Sequence, residues 1–160
     1  MKYVKALAAI VVMVLVDQLT KGLAVRYLKP LPEGIILIPG IFRLLYLENR
    51  GSAFGLLQGQ FVFFTIFTII ILAAITYVYI RMRKDSRMFP LRIVLVMIAS
   101  GAIGNFIDRL AHQYVVDFFY FELIDFPIFN VADIYVTLSA GILILLVLFY
   151  YKEEDLQGIL

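Results

Sequence analysis

The chain has no cysteine, and its single histidine is His112. Without cysteine there is no disulfide, no thiolate nucleophile and no thiolate metal site. One histidine excludes a histidine-rich metal centre, and a serine–histidine triad would depend on His112 alone. Charge is also scarce, at 16% of residues against about 25% in soluble domains. The net charge of +2 and the lack of basic residues clustered among stacking aromatics give no reason to expect a nucleic-acid partner. What fills the chain is apolar: 63% of residues are hydrophobic and the mean hydropathy is +0.97, so its solvent is lipid.

Residues 1–160 read as a single membrane-embedded domain of all-α class. Four transmembrane helices are expected at about 3–25, 61–80, 91–110 and 134–151, with a small extracytoplasmic β-sheet between the first and second. The second stretch, FVFFTIFTIIILAAITYVYI (61–80), holds no charge over the length that a hydrocarbon core of roughly 30 Å demands. Small residues in the third and fourth stretches (Ser100, Gly101, Gly104; Ser139, Ala140, Gly141) would let helices approach closely in lipid. Lys2 and Lys5 before an apolar run resemble a signal peptide. Asp17 and Lys21 occupy the place of a cleavage site, so a retained signal-anchor is expected.

Orientation follows the lysines and arginines. Lys2, Lys5, Lys152 and five residues of the 81–92 connection (Arg81, Arg83, Lys84, Arg87, Arg92) lie on one face. Arg26, Lys29, Arg43, Arg50 and Arg109 lie on the other. Both termini are therefore expected in the cytoplasm, and the outer connections are 26–60 and 111–133. In the first of these, IILI (35–38) and IFRLLYL (41–47) sit between prolines and glycines and read as short strands. Gly51 and Gly55 in the same connection raise the idea of a loop that folds over a site.

The polar residues agree in depth. Asp17 lies about 20 Å along the first helix from Val4, at 1.5 Å per residue, and Lys21 is one turn further. Asn105, Asp108 and Arg109 occupy the same end of the third span, Asp133 opens the fourth, and Asp117 follows the third. A carboxylate near hydrocarbon is costly to keep ionised, and two such groups at the ends of neighbouring spans point to a shared proton and an activated water. Each residue also has a plainer reading. Asp17 and Lys21 have the spacing of a helical ion pair, and Asn130 or Asp133 could cap the fourth helix. Asn105, Asp108 and Arg109 share a face that could be a helix-end network with Arg109 snorkelling, or could hold a substrate backbone or lipid ester. Asn49 could simply form a turn with Gly51. Glu122, Asp125 and the tail KEED (152–155) are expected in water, and Phe118, Phe119, Tyr120 and Phe126 in interfacial belts.

The segments DQLTK (17–21), NRGSAF (49–54), GNFIDR (104–109), VVDF (115–118) and FNVAD (129–133) resemble, in order, the five sequence blocks of bacterial lipoprotein signal peptidase, signal peptidase II. The resemblance covers nearly the whole chain. It implies an aspartic endopeptidase that cuts the signal peptide from diacylglyceryl-modified prolipoproteins just before the lipidated cysteine. It places the catalytic aspartates at Asp117 and Asp133, and Asn49, Asn105, Arg109 and Asn130 around the substrate. Asp17, Lys21, Gly51, Gly104 and Asp108 would form the supporting polar network. It further implies no metal and no cofactor, a monomer in the bacterial cytoplasmic (inner) membrane, a site near the outer leaflet in contact with membrane lipid, and inhibition by globomycin. Two other readings use the same residues: a proton-coupled transporter with Asp17, Asp117 and Asp133 as a relay, and an assembly factor binding a partner helix. A relay would spread its acids through the membrane, whereas these gather at one end.

Overall fold

A computed structural model describes residues 2–51, 60–82 and 85–156. Ser52, Ala53, Phe54 and Gly55 of the outer connection, and Arg83 and Lys84 of the 81–92 connection, lie outside the described residues. The chain forms α1 (Lys2–Tyr27), β1 (Ile35–Ile38), β2 (Phe42–Asn49), α2 (Phe61–Arg81), α3 (Phe89–His112), β3 (Val115–Phe121), α4 (Val131–Leu145) and a terminal turn α5 (Glu153–Leu156). A wider helical turn, Leu146–Tyr150, prolongs α4. Among the described residues, four helices have the length and composition to cross a membrane: Tyr3–Tyr27, Phe61–Arg81, Phe89–His112 and Val131–Tyr150. This is a multi-pass membrane protein.

The pattern of burial is that of a protein solvated by lipid. Large apolar side chains point outward along the helices, among them Leu7, Val12, Ile66, Ile70 and Leu148, whereas Asp17, Lys21, Ser100, Asp108, Asn130 and Ser139 are buried. Lipid solvates leucine as well as a protein core does, so nothing drives such side chains inward, while polar groups gain by meeting one another inside the bundle.

Local chemistry sets the helix ends. Pro90 sits in the first turn of α3, where its missing N–H costs nothing, and α3 stops at Gln113 in the left-handed conformation (φ 64°). Helix α4 starts at a reciprocal capping box: the Asn130 side chain accepts from the Asp133 N–H, and the Asp133 carboxylate accepts from the Asn130 N–H. The bundle is held chiefly by α3, which packs on α1, α2 and α4.

Two small-residue expectations separate here. Ser100, Gly101, Gly104 and Ser139 are buried at the helix seams, and a Cβ on Gly101 would stand 2.5 Å from the Ala132 carbonyl oxygen and 2.7 Å from Val136 Cγ2. Ala140 and Gly141 instead face outward, and nothing lies within 4 Å of a Cβ built on Gly141. Composition alone does not give a helix its rotation about its own axis.

The sheet has three antiparallel strands in the order β1-β2-β3. Strand β3 was not among the expected strands. VVDFFYF is buried at its first four positions, so it lacks the polar–apolar alternation that marks a half-exposed strand. Its register pairs Leu47 with Asp117 and Asn49 with Val115, which brings the end of β2 beside Asp117. Phe118 is core, packed with Ala24, Leu28 and Val116, not part of an interfacial belt. Glu122 pairs with Arg43 across the sheet, and Asp125 accepts from the Tyr120 hydroxyl at 2.6 Å. The tail is likewise anchored, through Asp155 to Arg87 at 2.8 Å.

Candidate active site

The sheet end of the bundle gathers polar residues from each of the five sequence blocks within two connected tiers. The upper tier holds Asp117 on β3 and Asp133 in the first turn of α4. Every one of their four carboxylate oxygens accepts from a fixed N–H group. For Asp117 these are Asn49 Nδ2 at 2.8 Å and Asn130 Nδ2 at 2.6 Å. For Asp133 they are Asn105 Nδ2 at 2.8 Å and the Asn130 backbone N–H at 3.1 Å. Asn130 touches both acids, so the cap expected for α4 and the expected site residue are the same group. Asn49 is itself held by the Gly51 N–H, which donates to its Oδ1 at 3.0 Å. The asparagines do not titrate, which leaves the two carboxyl groups as the titratable members of this tier.

Asp117 is 1% exposed, and its carboxyl is pushed up to about 7. Burial is the main cause and the neighbouring Asp133 charge the next; the amide bonds from Asn49 and Asn130 and the charge of Lys21 pull the other way.

The lower tier is Lys21 between Asp17 at 2.9 Å and Asp108 at 3.1 Å. The spacing of Asp17 and Lys21 does give the expected ion pair, but its partners reach further. Asp17 Oδ1 accepts the backbone N–H of Ala132, one residue before Asp133, at 2.9 Å. Asp108 Oδ2 accepts the backbone N–H of Val116, one residue before Asp117, at 3.0 Å. Each buried carboxylate of the lower tier thus fastens the strand or helix that carries one acid of the upper tier. Gly104 makes this possible: a Cβ there would overlap Asp17 Oδ2 and stand 3.1 Å from its Cγ.

Asn105, Asp108 and Arg109, expected on one face, divide between the tiers. Asp108 turns to α1, Asn105 links Lys21 to Asp133, and Arg109 lies over the Phe64 ring of α2 at 4.9 Å. Two contributors were absent from the expected site. Gln18 donates to Asp108 Oδ1 at 2.9 Å and to the Gly104 carbonyl at 3.1 Å, and Phe64 supports Arg109. Gln18 was visible in the sequence as the polar neighbour of Asp17; nothing in an uncharged apolar helix marks Phe64.

A cavity of about 690 Å³ opens onto the pair. Asp117, Asp133, Asn49, Asn105 and Arg109 form its polar end, Phe64, Phe67 and Thr68 line it from α2, and Ile134, Thr137 and Leu138 from α4. Helix α2 packs mainly on α3, which leaves the cavity bounded on two sides by α2 and α4 without close packing between them. No cluster of metal-ligating side chains occurs among the described residues.

Residues 9–149 match the signal peptidase (SPase) II family. The chain belongs to the signal peptidase II family. It is 41% identical to the lipoprotein signal peptidase of Streptococcus thermophilus (strain CNRZ 1066) over 155 residues, which cover 97% of each chain. It is also 41% identical to that of Streptococcus pyogenes serotype M5 (strain Manfredo) over 147 residues, 92% of this chain and 93% of the relative. Among solved structures it resembles a bacterial membrane enzyme determined in meso at 2.3 Å resolution, with TM-score 0.81, 34% identity and coverage of 93% of this chain and 92% of that one. The five polar blocks of this chain all fall within the matched region.

Proposed function

We propose that this chain is an aspartic endopeptidase that cuts diacylglyceryl-modified prolipoproteins just before the lipidated cysteine, with Asp117 and Asp133 as its catalytic pair. The observation that carries the reading is the pair itself: a buried acid and a half-buried one on different elements, joined by Asn130, at the polar end of a cavity otherwise lined mostly with apolar side chains. Two carboxyl groups so placed cannot both ionise easily and hold one proton between them.

In this mechanism the ionised aspartate takes a proton from water as the water oxygen bonds to the scissile carbonyl carbon. The protonated aspartate gives its proton to the carbonyl oxygen, which yields a gem-diol. Collapse of the gem-diol breaks the C–N bond. The first carboxyl passes its proton to the departing amine, and a diol hydroxyl returns one to the second. Asn49, Asn105, Arg109 and Asn130 hold the acids and the substrate backbone in register.

Lipid chains leave a bilayer only at high cost, about 0.8 kcal/mol per CH₂, so substrate would reach the acids laterally, between α2 and α4. With Lys2, Lys5, Lys152 and the 81–92 connection in the cytoplasm, the sheet and the acids lie toward the outer leaflet of the inner membrane. The test is cleavage of one lipidated prolipoprotein by the purified chain. Asp117→Asn and Asp133→Asn should each remove activity, and globomycin should block the unaltered enzyme. Full cleavage by either variant would sink the proposal.

A further inference from the structure

We propose that Lys21 is a positioning residue which, acting through Asn105, makes Asp133 the proton acceptor of the pair and leaves Asp117 to carry the proton. The inference rests on the aspartate-pair reading and deepens it by assigning the two roles.

Lys21 is 3% exposed, and its ammonium group has three partners: Asp17, Asp108 and Asn105 Oδ1, the last at 2.9 Å. An ammonium has three N–H donors and no acceptor, so Lys21 is saturated and its hydrogen bonds reach the pair only through a neighbour. That neighbour is Asn105. Its carbonyl oxygen accepts from Lys21 and from Asn130 Nδ2 at 3.1 Å, which obliges its amino group to face Asp133 Oδ1. Turning the amide over would set its N–H groups against the ammonium and the Asn130 amino group, and would leave Asp133 facing an oxygen.

Asp133 therefore meets a donor that cannot become an acceptor. Its other oxygen takes the backbone N–H of Asn130, the cap of α4, where the helix end favours negative charge. Asp117 sits on a strand, and its partners are the side-chain amides of Asn49 and Asn130, with no backbone N–H of the α4 terminus among them. The charged groups facing the pair are Lys21 and Asp17 from α1, and Asp108 and Arg109 from α3, with each acid facing the other. The difference in hydrogen-bond partners between the two acids comes from the Lys21–Asn105 branch and the backbone N–H at the α4 terminus. Under this assignment Asp133 takes the proton of water and Asp117 protonates the carbonyl oxygen.

The experiment measures kcat and KM against pH for the full chain in detergent micelles, using a diacylglyceryl-modified prolipoprotein as the probe. Lys21→Met should lower kcat on the order of tenfold to a hundredfold, as expected when a reacting group is misplaced by about 1 Å, with KM within about twofold. The alkaline limb, set by ionisation of Asp117, should move to higher pH, because Lys21 pulls the Asp117 carboxyl down. Lys21→Gln, which keeps a donor for Asn105, should recover part of kcat but not the position of the limb. Folded variants with unaltered kcat and pH profile overturn the proposal. If Lys21→Met does not fold, the unaltered chain decides: in ¹³C-carboxyl spectra of aspartate-labelled protein, the signal that titrates near neutrality must vanish in Asp117→Asn. Its survival there, with loss in Asp133→Asn, reverses the roles. Full cleavage by either asparagine variant removes the aspartate pair itself, a failure separate from that of Lys21.

Discussion

Gly104→Ala tests the two-tier construction by a single methyl group. That methyl would overlap Asp17 Oδ2 and stand 3.1 Å from Asp17 Cγ and 3.3 Å from Ala132 Cβ. Asp17 cannot easily retreat, since it is fully buried with Oδ1 on the Ala132 N–H and Oδ2 on Lys21, both at 2.9 Å. Either α1 and α3 separate or the carboxylate leaves its partners. The first is overpacking, about 1–3 kcal/mol. The second breaks a buried ion pair, about 3–5 kcal/mol. Against either stands a gain of at most about 1 kcal/mol from replacing a helical glycine. A net loss of about 3 kcal/mol corresponds to a melting temperature roughly 6–12 °C lower for a chain of this size. Circular dichroism of the protein in detergent would read it, since the chain has no tryptophan to report by fluorescence. Two glycines serve as controls. Nothing lies within 4 Å of a Cβ at Gly22 or Gly141, so alanine there should leave stability unchanged or raise it by up to about 1 kcal/mol. Gly104→Ala should also lose activity, because the Ala132 N–H that Asp17 holds is next to Asp133. An alanine variant at 104 that melts with the unaltered protein and cleaves at its rate would refute the role given to Asp17.

Other outcomes follow from the upper tier. The Asp117 carboxyl is raised from 3.8 to about 7 in the folded chain, so between those values the folded state keeps a proton that the unfolded state releases. Unfolding free energy should therefore fall as pH rises through that window, by about 4 kcal/mol in all, and level off above it. Asp117→Asn should remove that slope; equal slopes in both proteins would show that Asp117 is not the responsible group. Asn130→Ala removes a donor to Asp117 and the side-chain half of the α4 cap, for a combined loss of about 2–3 kcal/mol in denaturant unfolding and a fall in kcat. A variant at 130 with normal stability but no activity would separate the cap from the site, against the view that one residue does both.

The four spans, the strand IILI, the Asp17–Lys21 pair and the residues of the five polar blocks could all be read along the chain, because each depends on neighbours in sequence. Hydropathy over twenty residues decides whether a helix suits lipid, and a spacing of four decides whether two side chains share its face. Tertiary structure decided the rest. VVDFFYF became a strand because β2 offered it a partner and α1 covered it, so burial on both faces erased its alternation. Gly104 lies at a helix seam and Gly141 faces outward, although both are small residues in apolar helices. The bond from Asp17 to the Ala132 N–H spans 115 residues, and that from Asn49 to Asp117 spans 68. Such contacts depend on how α1, α3, α4 and the sheet pack together, which local composition does not encode. Sequence alone thus put these acids at the ends of the apolar spans; only packing determined which amides hold them and which buried charges fasten the elements that carry them.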